Sequence, residues 1–82
     1  MLARLNGWAV LDSVLQKSFR FADFHRTMDF VNAVAAIAHA QDHHPDMTVA
    51  FNRCTLHWST HSVAGLSIND FICAAMVDAL VV

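Results

Sequence analysis

Charge is scarce in this chain, and basic clusters are missing altogether: 15% of the 82 residues are charged and the net charge is −2. A nucleic-acid surface needs a basic patch or stripe, so nucleic acid is not an expected direct partner. Long hydrophobic runs are missing too. None reaches the roughly 18 apolar residues that suggest a membrane span. The nearest, VNAVAAIAHA and CAAMVDALVV, are interrupted by Asn32 and His39 in one and by Asp78 in the other. The opening MLARLNGW lacks the apolar segment and small-residue cleavage site of a secretory signal, so a cytoplasmic location is expected. Cysteine is confined to Cys54 and Cys73, far apart and in apolar surroundings. They read as buried free thiols of a reducing compartment. Repeats, linkers and low-complexity tracts are absent.

What is present is apolar material, 56% of the chain. A chain this short is one domain at most and buries a limited share of its surface. Self-association is the expected way to cover the excess, which makes a homo-oligomer the expected state. The first six residues read as a stub of helix ending near Asn6-Gly7. WAVLDS and VLQKSFRF follow as two short strands, with a hairpin turn near Asp12-Ser13 whose type stays open without glycine. In the second strand Leu15, Phe19 and Phe21 alternate with polar residues, but Lys17 interrupts the apolar face. From Asp23, a suitable N-cap, the period becomes helical. Phe24, Met28, Val31, Ala35 and Ala38 make the stripe, widened by Phe30, Val34 and Ile37. That helix should end near Asp42 to His44, because Pro45 disfavours helical angles in the residue before it. Thr48 to His61 then reads as one long strand, with Cys54, Leu56 and Trp58 on one face and Arg53, Thr55, His57, Ser59 and His61 on the other. A second helix starts at Ser67, where Ser67 and Asp70 fit a capping box, with Ile68, Ile72, Ala75, Met76 and Ala79 as its buried stripe. The order implies an α+β layer, a small sheet with helices packed on one face.

The chemistry-bearing stretch is HAQDHHPDMTVAF, residues 39–51, where imidazoles crowd a helix end. Three readings of His43, His44 and His61 stay open. A histidine at a helix C-terminus interacts well with the dipole and caps carbonyls, which accounts for one imidazole better than for two in succession. His39 and His43 are four apart on one helix face, as chelating pairs are, with Asp42 or His61 as a third metal ligand. Alternatively, the helix end and the strand end bring His43, His44 and His61 to one pocket, where they share proton donation and acceptance. No nucleophile accompanies them: neither cysteine has a neighbouring charge to form a thiolate, and Ser59 has no nucleophile-elbow context.

His39, then His43-His44-Pro45, then Phe51, His61 and Asp70 resemble, in type and spacing, the signature of the pterin-4a-carbinolamine dehydratase family. Gly7-Trp8, Phe19-Arg20-Phe21, Asp23-Phe24, Thr60-His61 and Gly65-Leu66-Ser67 extend the resemblance from about Leu5 to Leu80. It implies a four-stranded antiparallel sheet with helices on one face, dimers or tetramers, and therefore a break within Thr48–His61. It also implies loss of water from 4a-hydroxytetrahydropterin to give quinonoid dihydropterin, regenerating the pterin used by aromatic amino acid hydroxylases.

An acid is then needed to protonate the leaving hydroxyl and a base to take a ring-nitrogen proton, with neither metal nor organic cofactor. By resemblance, His43 and His61 are the acid–base pair and His44 binds the pterin and assists. Pro45, Thr60 and Ser62 line the pterin pocket, and Asp42 orients an imidazole by accepting its other N–H. Asp70 is accounted for by the capping box alone. His39 reads as supporting or surface, His57 as solvated or at a subunit contact, and His25 as surface. Met47 stands where the family often has a bulky aromatic. Two other classes remain as alternatives: a non-enzymatic dimerisation or assembly partner, and a histidine metal-binding module.

Overall fold

The computed structural model describes residues 7–60 and 65–81. Its elements are β1 (Ala9–Leu11), β2 (Val14–Arg20), α1 (Phe24–Gln41), β3 (Asp46–Ala50), β4 (Arg53–Trp58) and α2 (Ile68–Ala79). The strands form one sheet in the order β1-β2-β4-β3, antiparallel throughout. The expected helical stub lies outside the described residues.

Each element follows from local chemistry. The β1–β2 hairpin turns through Asp12 and Ser13, both in the left-handed region (φ 50° and 63°), so that the chain twists with its strands despite carrying no glycine there. Asp23 caps α1 by accepting the Arg26 amide at 2.8 Å. The long strand expected over Thr48–His61 is instead a hairpin, β3 and β4, broken at Phe51-Asn52. The turn is held from outside itself. The Phe21 amide donates to the Asn52 carbonyl at 2.8 Å, and the hydroxyl of Thr27, fully buried in α1, donates to the Phe51 carbonyl at 2.9 Å.

Strand parity puts Leu15 and Phe19 of β2 and Cys54, Leu56 and Trp58 of β4 on the face that meets the helices. Leu15, Cys54, Leu56 and Trp58 have no exposed surface, and burying one such aliphatic side chain contributes about 1.5–3 kcal/mol. The opposite face is polar, and there Ser18 and Thr55, directly paired, share a 2.7 Å hydroxyl–hydroxyl bond. Lys17 lies on the inner face, yet its charge is met. Its Nζ sits 3.0 Å from Asp78 of α2 and 4.9 Å from the centre of the Phe19 ring. The Trp8 indole donates to the same carboxylate at 3.0 Å.

Helix α1 presents its expected face at Phe30, Val34 and Ala38, whereas α2 presents another. In α1 the buried residues are Thr27, Phe30, Val34 and Ala38, while Phe24 is exposed. In α2 they are Asp70, Cys73, Ala74 and Val77, and Ile68 and Ile72 face solvent. Two carboxylates decide the rotation of α2. Asp70 and Asp78, two turns apart, both turn inward to polar partners, which a stripe drawn through the isoleucines would forbid.

Candidate active site

The end of α1 is built to aim His43. Asp42 adopts the left-handed conformation (φ 49°, ψ 44°), and its amide bonds the carbonyls of Ala38 and His39. The His43 amide bonds Ala38 O at 3.0 Å, completing a Schellman closure. The chain reverses there and sends His43 inward.

Two contacts fix the His43 imidazole. Its ring lies parallel to the Trp58 indole, with centroids 5.6 Å apart and planes at 10°. Its Nε2 is 2.6 Å from Asp70 Oδ1, and its side chain is only 14% exposed. Asp70 has no exposed surface at all. Its Oδ2 accepts from the Thr60 hydroxyl at 2.7 Å and from the Ser67 amide at 2.9 Å, the second being half of the expected capping box. Ser67 Oγ lies 2.7 Å from Thr60 Oγ1. Thr60 also pairs through its backbone with Gly65, at 2.8 and 3.3 Å. The end of β4 and the start of α2 are thus knotted around one carboxylate.

His44 takes the other direction. It is exposed and packs edge-on against His39, with ring centroids 5.5 Å apart. His39 and His43 do not pair, and among the described residues no three His, Cys, Asp or Glu side chains group as a metal site. The sequence assigned Asp42 to orient an imidazole. Its side chain is exposed, and the carboxylate against His43 is that of Asp70, which serves the capping box and the imidazole together. The signal for Asp70 was its place in the family pattern. Thr60, expected at the pterin pocket, has its hydroxyl proton and its amide committed to Asp70 and Gly65. His61 and Ser62 lie outside the described residues. Pro45 is half-buried between α1 and β3, Met47 is exposed on the helix-facing side of β3 opposite Leu56, and Phe51 is exposed in the β3–β4 turn.

Burial favours the neutral form of both thiols. Cys54 and Cys73 are free and buried, and burial pushes both above the ordinary thiol value, with the Asp70 charge adding at Cys73. A groove of about 300 Å³ lined by Phe21, Arg26, Asp29, Phe30, Ala33, Leu80 and Val81 shares no residue with this site. The titratable pair His43 and Asp70 meets away from that groove.

Residues 1–80 match the family described as pterin 4 alpha carbinolamine dehydratase. A protein of Nitrosospira multiformis named "Putative pterin-4-alpha-carbinolamine dehydratase" is 50% identical over 80 residues, which are 98% of this chain and 71% of that protein. One of the same name from Chromobacterium violaceum is 51% identical, over 98% of this chain and 74% of its own. Among solved structures, a transcriptional coactivator/pterin dehydratase from Brucella melitensis superposes with a TM-score of 0.91 at 34% identity, over 95% of this chain and 85% of that one. A pterin dehydratase-like RuBisCO assembly factor of the alpha-carboxysome shares the fold, with a TM-score of 0.74 at 23% identity over 89% and 84% of the two chains. The fold, the inward histidine at the end of α1 and these likenesses agree: the chain belongs to the pterin-4a-carbinolamine dehydratase family.

Proposed function

We propose that this protein removes water from 4a-hydroxytetrahydropterin to give quinonoid dihydropterin by histidine acid–base catalysis, and so regenerates the pterin of aromatic amino acid hydroxylases. The observation that carries the reading is His43, an imidazole held in place by a buried carboxylate and an indole while still reaching solvent. Such a group suits proton transfer in a bound substrate, since one nitrogen is engaged and the ring plane is set. The C4a–O bond breaks as the hydroxyl leaves. One of His43 and His61 protonates that oxygen, the other takes a proton from a ring nitrogen, and the electron pair of that N–H bond becomes the new double bond to C4a. His44, exposed beside His43, binds the pterin and assists. Pro45, Thr60 and Ser62 line the pocket, Thr60 through its carbonyl and methyl surface because its donors are engaged.

The proposed setting is the cytoplasm and a homo-oligomer, dimer or tetramer. Exposed apolar side chains on three sides support association: Met47 and Val49 on the edge strand β3, Ile68 and Ile72 on α2, and Val10 and Leu11 on β1. The test of the function is dehydration of chemically generated 4a-hydroxytetrahydropterin, followed by absorbance against the spontaneous rate, for wild type and His61→Ala. Acceleration that the substitution abolishes supports the reading. A wild-type rate equal to background overturns it.

A further inference from the structure

The hydrogen bonds around Asp70 have a direction, and that direction reaches His43. Thr60 has one hydroxyl proton, and it goes to Asp70 Oδ2 at 2.7 Å. Ser67 Oγ, 2.7 Å from the same Thr60 oxygen, must then be the donor of that pair. The Ser67 amide also points its proton at Oδ2. Donors therefore fill one oxygen of a carboxylate that has no contact with water. Its other oxygen, Oδ1, meets His43 Nε2 at 2.6 Å and no other hydrogen-bonding group among the described residues. A carboxylate can only accept, so Nε2 is the donor of this bond and carries the proton. Nδ1 of His43 has no hydrogen-bond partner among the described residues, and the parallel Trp58 indole sets the plane in which that nitrogen lies.

We propose that Asp70, backed by Thr60 and Ser67, is a positioning residue that keeps the His43 proton on Nε2 and leaves Nδ1 as the atom that exchanges a proton with substrate. The inference rests on the dehydratase reading for its consequence in turnover, but the tautomer itself does not depend on that reading. Asp70 never touches the pterin in this scheme. It acts through the histidine, as buried carboxylates do for other acid–base imidazoles.

Asp70→Asn makes a sharp test because it keeps the shape and inverts one partner. The Thr60 hydroxyl and the Ser67 amide both need an acceptor, so the Asn oxygen turns to them and its NH₂ faces His43 Nε2. Nε2 must then carry the lone pair, and the proton moves to Nδ1. Nitrogen-detected proton correlation NMR on the intact protein, with its histidines labelled and the ring neutral, reports which nitrogen is protonated. The expected result is Nε2–H in wild type and Nδ1–H in Asp70→Asn. In the dehydration assay kcat falls on the order of 10²–10⁴-fold, while KM changes little. A wild-type His43 protonated on Nδ1 overturns the proposal, whether or not Asp70→Asn folds. So does an Asp70→Asn protein with wild-type kcat. If the wild type shows Nε2–H but no turnover, the dehydratase reading has failed and the tautomer assignment stands.

Discussion

Removing the Asp78 carboxylate should cost this fold more than an exposed ion pair would. Asp78 is bonded at 3.0 Å by Lys17 Nζ and at 3.0 Å by the Trp8 indole, with the Lys17 and Asp78 side chains only 19% and 22% exposed. A hydrogen bond to a charged group is worth about 1.5–3 kcal/mol. Water reaching a fifth of each side chain reduces that to about 1 kcal/mol. The Trp8 indole, in a residue 7% exposed, loses its acceptor at a further cost of about 1 kcal/mol. Asp78→Ala is therefore expected to destabilise by about 2 kcal/mol, which lowers Tm by about 8–16 °C in a domain of this size. The double variant Lys17→Met/Asp78→Leu removes the charge with its partner and fills the space with apolar atoms, so about half of the loss should return. Thermal unfolding by circular dichroism measures both. A single-variant loss below about 0.5 kcal/mol, or a double variant no better than the single, refutes the idea that this carboxylate ties α2 to the first hairpin.

Two more expectations follow from backbone and burial. Ser13→Gly relieves a left-handed residue and should stabilise by about 1 kcal/mol, read as a higher urea midpoint; an unchanged or lower midpoint contradicts the turn geometry. Burial raises the Cys54 and Cys73 thiols above their ordinary 9.0, so folding favours the neutral form. That contribution is whole below pH 9.0 and is lost as pH rises through the folded value. The fall in stability between pH 8 and pH 10.5 should be shallower in a Cys54→Ala/Cys73→Ala variant, and an equal slope in the two proteins contradicts it.

Local signals in the sequence located the elements well. Asp23 opens α1, Pro45 marks the space after its end, and the alternation of Cys54, Leu56 and Trp58 sets the buried face of β4. The pair of histidines at the end of α1 was legible in His43-His44-Pro45, but not that His43 alone turns inward while His44 is exposed. What the pattern could not supply was anything decided at long range. The β3–β4 turn at Phe51-Asn52 has no glycine or proline; its trace in the sequence is a shift of apolar parity, from Met47 and Val49 to Cys54 and Leu56, and it is tied down by Thr27 and Phe21, elsewhere in the chain. The face of α2 was misplaced because hydropathy weights Ile68 and Ile72 above two aspartates. The His43 partner of Asp70 is 27 residues away, and the partners of Asp78 are 61 and 70 residues away. The same distance hid the carboxylate of the site. Asp42 is adjacent to His43 in sequence and turned away in space, while Asp70 is remote and in contact.

The central claim is that His43 transfers a proton in the dehydration. Its most direct test is kcat for His43→Gln against wild type in the pterin assay, because glutamine can still donate to Asp70 and spares the buried carboxylate. A kcat reduced at least about 100-fold, with Tm within a few degrees and KM little changed, is the expected result. A folded His43→Gln protein that dehydrates the pterin at the wild-type rate contradicts the account.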